Sequence, residues 1–206
     1  MLVYGDAQRR EEPGAKVGRL RSGLAELGDL RPGIERHGAL AGLLIEAGEL
    51  EQAALDERYG REGRDEQSPL AEALASLTRR LAQALLGSFR SRGTSLLDRR
   101  TVEIPVLPDV LAVSVPEGYA LYGLYPETYL RAAEELRRSW PGVLRVLGIR
   151  SIGTSLAAAV AAAGQAELTA SVRPGGHPFA RTLEIGDGLA RKLLSGGSTL
   201  FAIADE

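Results

Sequence analysis

Apolar residues recur at helical intervals from about Ala15 to Phe89. Leu20, Leu24 and Leu27, and then Leu40, Leu43 and Leu44, fall three or four positions apart, which predicts helices that bury one face. Arg31-Pro32-Gly33 and Gly60-Arg61-Glu62-Gly63 interrupt that pattern as helix breaks. Ser68-Pro69 has the form of an N-cap followed by proline in the first turn, with Glu72 near the capping-box position. The helix it opens carries Leu70, Leu74, Leu77, Leu81 and Leu85 on one face.

After Gly93 the period shortens. Thr101 to Val106 alternates apolar with polar residues, Leu111 to Val115 is rich in β-branched side chains, and Tyr119 to Tyr125 is aromatic; all three read as strands. Pro126-Glu127 opens a helix over Thr128 to Trp140, striped by Tyr129, Leu130, Ala133 and Leu136 and stopped by Pro141-Gly142. From there the pattern predicts a strand over Val143 to Ile149, an alanine-rich helix over Leu156 to Ala163 ended by Gly164, and a strand over Glu167 to Val172. A helix that includes Leu189 to Leu194 and a strand over Leu200 to Ala204 complete the order. Strands alternating with helices are what a right-handed parallel sheet requires. The expected class is α/β, with a helical N-terminal region over 1–93 and an α/β domain over 94–206.

Composition narrows the chemistry. The chain has 206 residues and a formal net charge of -2, so no overall field favours nucleic acid or an anionic membrane. It has no Cys and only His37 and His177, which excludes disulfides and cysteine nucleophiles and disfavours a histidine zinc site. Arginine supplies nearly all the cations, only Lys16 and Lys192 being lysines, asparagine is absent, and Ala and Gly abound; this is the composition of a GC-rich bacterial gene. No apolar run reaches the roughly 20 residues that span a bilayer, and Met1 to Arg10 lacks the form of a signal peptide. The expected setting is the cytoplasm.

Three stretches carry candidate chemistry. In Gly148-Ile149-Arg150-Ser151-Ile152-Gly153-Thr154-Ser155 a strand passes through a glycine-containing loop into a helix. Such a junction aims free amides and the positive helix end at an anion, with Arg150 and the Thr154 and Ser155 hydroxyls as further donors; the alternative is a tight structural turn with a solvent-facing arginine. It is neither a Walker A loop nor a dinucleotide fingerprint. Val172 to Arg181 holds two Pro, two Gly, Arg173, Arg181 and His177, the composition of a mobile loop able to close over an anion; the alternative is a plain surface connection. Asp205-Glu206 follows the last strand, where adjacent carboxylates can grip sugar hydroxyls or a magnesium–sugar-phosphate complex; a solvated acidic tail is the alternative.

This succession, from the apolar strand and Gly-Ile-Arg-Ser-Ile-Gly-Thr-Ser-Leu-Ala-Ala to the closing Phe-Ala-Ile-Ala-Asp-Glu, resembles the core of the type I phosphoribosyltransferases over about residues 143–206. The resemblance implies a parallel sheet core of that type. Arg150, Ser151, Ile152, Gly153, Thr154 and Ser155 would bind the pyrophosphate of phosphoribosyl pyrophosphate, and Asp205 and Glu206 the ribose hydroxyls. Arg173, His177 and Arg181 would close the site. Magnesium would enter through the substrate, and the phosphoribosyl group would pass to a nitrogen nucleophile. In the family a Gly- and Ser/Thr-containing loop for the 5'-phosphate follows the acidic pair; this sequence ends at Glu206. The expectation is a domain truncated at its C-terminus, with a degenerate relative as the alternative. Tyr119, Tyr122 and Tyr125 are candidates to stack on an acceptor base, or simple core and edge aromatics. A homodimer is an expected assembly. An inactive ligand-binding or regulatory module of the same fold, and an α/β protein-interaction domain, are the competing classes.

Overall fold

The computed structural model describes residues 8–94, 106–107, 110–114, 117–177 and 179–205. Most of the strand expected over Thr101 to Val106 lies outside them, as does Glu206.

Helices α1 (Pro13–Glu26), α2 (Ile34–Glu62) and α3 (Pro69–Arg90) form where the leucine periodicity places them. The break at Arg31-Pro32-Gly33 separates α1 from α2, whereas of the break expected over Gly60 to Gly63 only the last residue ends a helix: α2 runs on through Glu62 and is capped by Gly63 in the left-handed conformation (φ 70°), and Ser68 Oγ accepts a hydrogen bond from the Ala71 amide at 3.1 Å to open α3. The capping box is half made, because Glu72 turns instead to Lys192. Glycines inside α2 (Gly38, Gly42, Gly48, Gly60) each cost about 1 kcal/mol of helix propensity. Burial of Leu40, Leu44 and Leu50 offsets this, since a fully buried leucine contributes about 1.5–3 kcal/mol. Gly48 also lets α2 approach the rest of the fold, because a Cβ there would lie 2.6 Å from the Ser155 Cβ.

Strand β1 (Gln8–Glu11) pairs antiparallel with β2 (Leu111–Ser114), whose Leu111 and Val113 are buried. The stretch expected as a strand over Tyr119 to Tyr125 instead begins as a short helix, α4 (Glu117–Leu121), and then turns. The reason is local packing: the Tyr119 hydroxyl meets Ser155 Oγ at 2.8 Å, a contact across elements rather than along a sheet. Helix α5 (Pro126–Ser139) buries Leu130 and Ala133 as its stripe predicts.

The central sheet is parallel, with β3 (Val143–Ile149) between β4 (Leu168–Val172) and β7 (Thr199–Ala204). Helix α6 (Gly153–Gly164) follows β3 and is buried along its whole length. It packs against α2, α3 and α5 on one side and the sheet on the other. Helix α7 (Asp187–Leu194) covers the opposite sheet face, where Leu189 and Leu193 meet Leu147 and Ile149. The main apolar cluster runs without interruption from Leu20 to Ala204, so residues on both sides of position 93 share one core. The architecture is α/β. Among the described residues no helix is long and apolar enough to cross a membrane.

Candidate functional site

Because β3, β4 and β7 run in parallel, their C-terminal ends share one edge. The register pairs Ile149 with Val172 and Gly148 with Ala204, so Arg150, Arg173 and Asp205 emerge along it. Two glycines bring the loop and α6 close to the sheet. A Cβ on Gly148 would lie 2.2 Å from the Gly153 carbonyl oxygen, and a Cβ on Gly153 would lie 2.5 Å from that of Ala204. The N-terminus of α6 is therefore pressed against the end of β7, one residue before Asp205.

The loop's hydroxyls are used inside the protein. Thr154 Oγ1 and Ser171 Oγ are 2.7 Å apart, and Ser155 Oγ donates to the Ile152 carbonyl at 3.1 Å. Since the Ser155 hydrogen goes to Ile152, the Tyr119 hydroxyl is the donor in its 2.8 Å contact with Ser155, and burial raises the Tyr119 pKa. Ile152, Gly153, Thr154 and Ser155 are buried, whereas Ser151 is partly open. The Arg150–Ser151 peptide bond is cis.

Arg150 is neither an open anion ligand nor a solvent-facing turn residue. Its buried guanidinium donates to Asp56 at 2.7 Å, to Asp65 at 2.6 Å and to the Ser171 carbonyl at 2.9 Å, and it lies 5.8 Å from the Tyr59 ring centroid. Arg173 joins the same cluster. Its side chain donates from two nitrogens to Asp56, at 2.8 Å from Nε, and to the Arg150 carbonyl at 2.9 Å, while its amide donates to Asp65 at 2.7 Å. Two guanidiniums thus meet two carboxylates, a balance that burial demands.

The two carboxylates respond differently. Burial acts to raise Asp56, but hydrogen bonds from Arg173 and Gln52 and the charges of both arginines outweigh it and hold its pKa below the usual value. At Asp65 burial prevails over Arg150 and the Arg173 amide, with the Asp56 charge adding to it, and the pKa is raised. Beneath them Glu51, hydrogen-bonded to Thr78 at 2.6 Å, is pushed by burial up to about 7 against the opposing effects of Thr78 and Arg150.

The stretch expected as a mobile loop is a hairpin, β5 (Pro174–His177) with β6 (Ala180–Leu183), in whose first strand Gly176 stands at φ 80° opposite Arg181. His177 and Arg181 are exposed on it. The His177 ring accepts from the Phe179 amide at 3.3 Å, and Arg181 donates to the Gly176 carbonyl at 3.3 Å. Asp205 is exposed, and its carbonyl accepts from the Tyr129 hydroxyl at 3.0 Å.

Among the described residues no group of three His, Asp or Glu side chains is placed to hold a metal ion. Sequence reasoning missed Asp56 and Asp65. Asp65 lies in the mixed-charge run 58–66, whose pattern is that of a solvated face, and only its distant partners distinguish it.

Comparison of the chain with protein-family models, with curated proteins and with solved structures finds no match.

Proposed function

We propose that the C-terminal edge of the parallel sheet binds magnesium–phosphoribosyl pyrophosphate and that the protein transfers the phosphoribosyl group to a nitrogen nucleophile. The observation that carries this reading is the contact of Gly153 with the Ala204 carbonyl, which sets the α6 N-terminus beside Asp205. A diphosphate on the first-turn amides would then have its sugar within reach of Asp205. In this assignment the amides of Ser151 to Ser155 hold the pyrophosphate, entering at Ser151. Asp205 and Glu206 hold the ribose hydroxyls, and His177 and Arg181 on the hairpin cover the ligand. Arg150 and Arg173 act as positioning residues, because both are tied to Asp56. The bond from the anomeric carbon to pyrophosphate breaks as the carbon–nitrogen bond forms. The nitrogen's proton leaves to solvent, and the loop's dipoles stabilise the departing charge. A cytoplasmic setting and a homodimer belong to the same reading.

One observation favours a second reading, an inert ligand-binding module of the same fold: both arginines near the loop are neutralised by Asp56 and Asp65, so neither is free to neutralise a leaving diphosphate. Calorimetric titration with magnesium–phosphoribosyl pyrophosphate, followed by a pyrophosphate-release assay over a panel of free nucleobases, separates the two. The proposal expects saturable binding that Ser151→Glu abolishes and Asp205→Asn weakens at least about tenfold, a loss of one or more charge-assisted hydrogen bonds. Binding without release on any base supports the module. No binding overturns both.

A further inference from the structure

A second constellation lies where the first turn of α2, the last turn of α3 and the first turn of α5 meet. His37 Nδ1 is 2.9 Å from Ser88 Oγ, and His37 Nε2 is 2.8 Å from Glu127 Oε1. These groups line a cavity of about 480 Å³ whose other walls include Ile34, Phe89 and Arg92. That size is typical of small-molecule sites, which pair a mostly apolar lining with a few convergent polar groups. Arg92 has no ion-pair or hydrogen-bond partner among the described residues.

The hydrogen bonds have a direction. A carboxylate only accepts, so Glu127 takes the hydrogen of Nε2. In the neutral ring Nδ1 is then the acceptor, and the Ser88 hydroxyl donates to it. A hydroxyl donating to an imidazole that a carboxylate orients is the arrangement that activates a nucleophile. Three helices contribute one member each, so the order is held by the packing of α2, α3 and α5 rather than by a local motif.

We propose that Ser88 is a nucleophile, His37 its general base and Glu127 the group that fixes the ring, in a site that hydrolyses small esters with an apolar acyl group. Ser88 Oγ bonds to the ester carbonyl carbon while its proton passes to His37 Nδ1. The carbon–oxygen bond to the alcohol breaks, and the leaving alkoxide takes that proton. Water then attacks the acyl-serine by the same relay, releasing the acid and restoring Ser88. Arg92 faces the charge that develops on the carbonyl oxygen, and Ile34 and Phe89 receive the acyl chain. Ser88 lines the cavity with no exposure of its own to water, so small probes are required.

The test is to incubate the whole chain with diisopropyl fluorophosphate, map any adduct by peptide mass, and measure hydrolysis of p-nitrophenyl butyrate. The proposal expects an adduct on Ser88, turnover lost in Ser88→Ala, and a fall of roughly 100-fold or more in His37→Gln, the scale of general-base catalysis. Unfolding midpoints of both variants confirm that they remain folded. Absence of a Ser88 adduct, or hydrolysis that survives Ser88→Ala, overturns the proposal and leaves the three side chains as a tie between helices.

Discussion

The sheet edge and the α2–α3–α5 cavity both gather ionisable side chains from remote parts of the chain, yet they deploy them in opposite ways. At the edge, Arg150 and Arg173 end on Asp56 and Asp65, so positive charge is spent on holding α2, β3 and β4 in place. At the cavity, the cation Arg92 is exposed and unpartnered among the described residues, and the polar chain from Glu127 ends on a hydroxyl. Arginine beside a glycine loop is therefore weak evidence for anion binding. What matters is whether its donors are already committed, which burial and partner geometry decide.

The largest effect that tests this contrast is Arg150→Ala. It strips the buried Asp65 carboxylate of its guanidinium while Asp56 keeps Arg173, and breaking a buried ion pair in this way costs about 3–5 kcal/mol; urea unfolding should show that loss. A neutral outcome would mean that the edge cluster is not structural. Next comes the pH response of Glu51, the carboxyl beneath the cluster. Its pKa of about 7 in the folded protein stands above the ordinary 4.5, so the folded state binds its proton more tightly. That contribution is complete below the ordinary value and is lost as pH rises through about 7. Glu51→Gln should accordingly flatten the decline in unfolding midpoint between about pH 5 and about pH 8. Smallest is Arg92→Ala, a surface change expected to move stability by no more than about 0.5 kcal/mol, measured on the same urea axis. A change as large as that of Arg150→Ala would erase the contrast between the two arginines.

Much of the fold was legible because the relevant signals are local. Leucine spacing, the Ser68-Pro69 cap and the Gly63 stop define α2 and α3, and Val143 to Ile149 forms the central strand that its apolar run predicts. The misreadings share a cause. Tyr119 to Tyr125 has strand-like composition, but Tyr119 answers to Ser155 of α6 rather than to a neighbouring strand, and Tyr122 and Tyr125 are exposed. The loop over Val172 to Arg181 has turn residues in abundance, and its hairpin pairing, Gly175 with Thr182 and Gly176 with Arg181, has no alternating apolar pattern to announce it. The candidate site was legible as a place, since parallel strands bring Arg150, Arg173 and Asp205 to one edge. It was not legible as a set of contacts, because Asp56 and Asp65 come from 94 and 85 positions before Arg150. His37, Ser88 and Glu127 are likewise dispersed, and no spacing rule joins them.

Helix α6 has a consequence for how the molecule opens. Twelve residues of mostly alanine and glycine form a helix too short to persist alone in water. It exists because α2, α3 and α5 enclose it from one side and β3, β4 and β7 from the other. Its amides can therefore exchange with solvent only when both enclosures come apart, which ties the N-terminal helices and the parallel sheet to a single cooperative event. Protease nicking of either part in isolation is disfavoured by the same coupling, and the slowest-exchanging hydrogens of the chain belong at its centre, in Ala157 to Ala161.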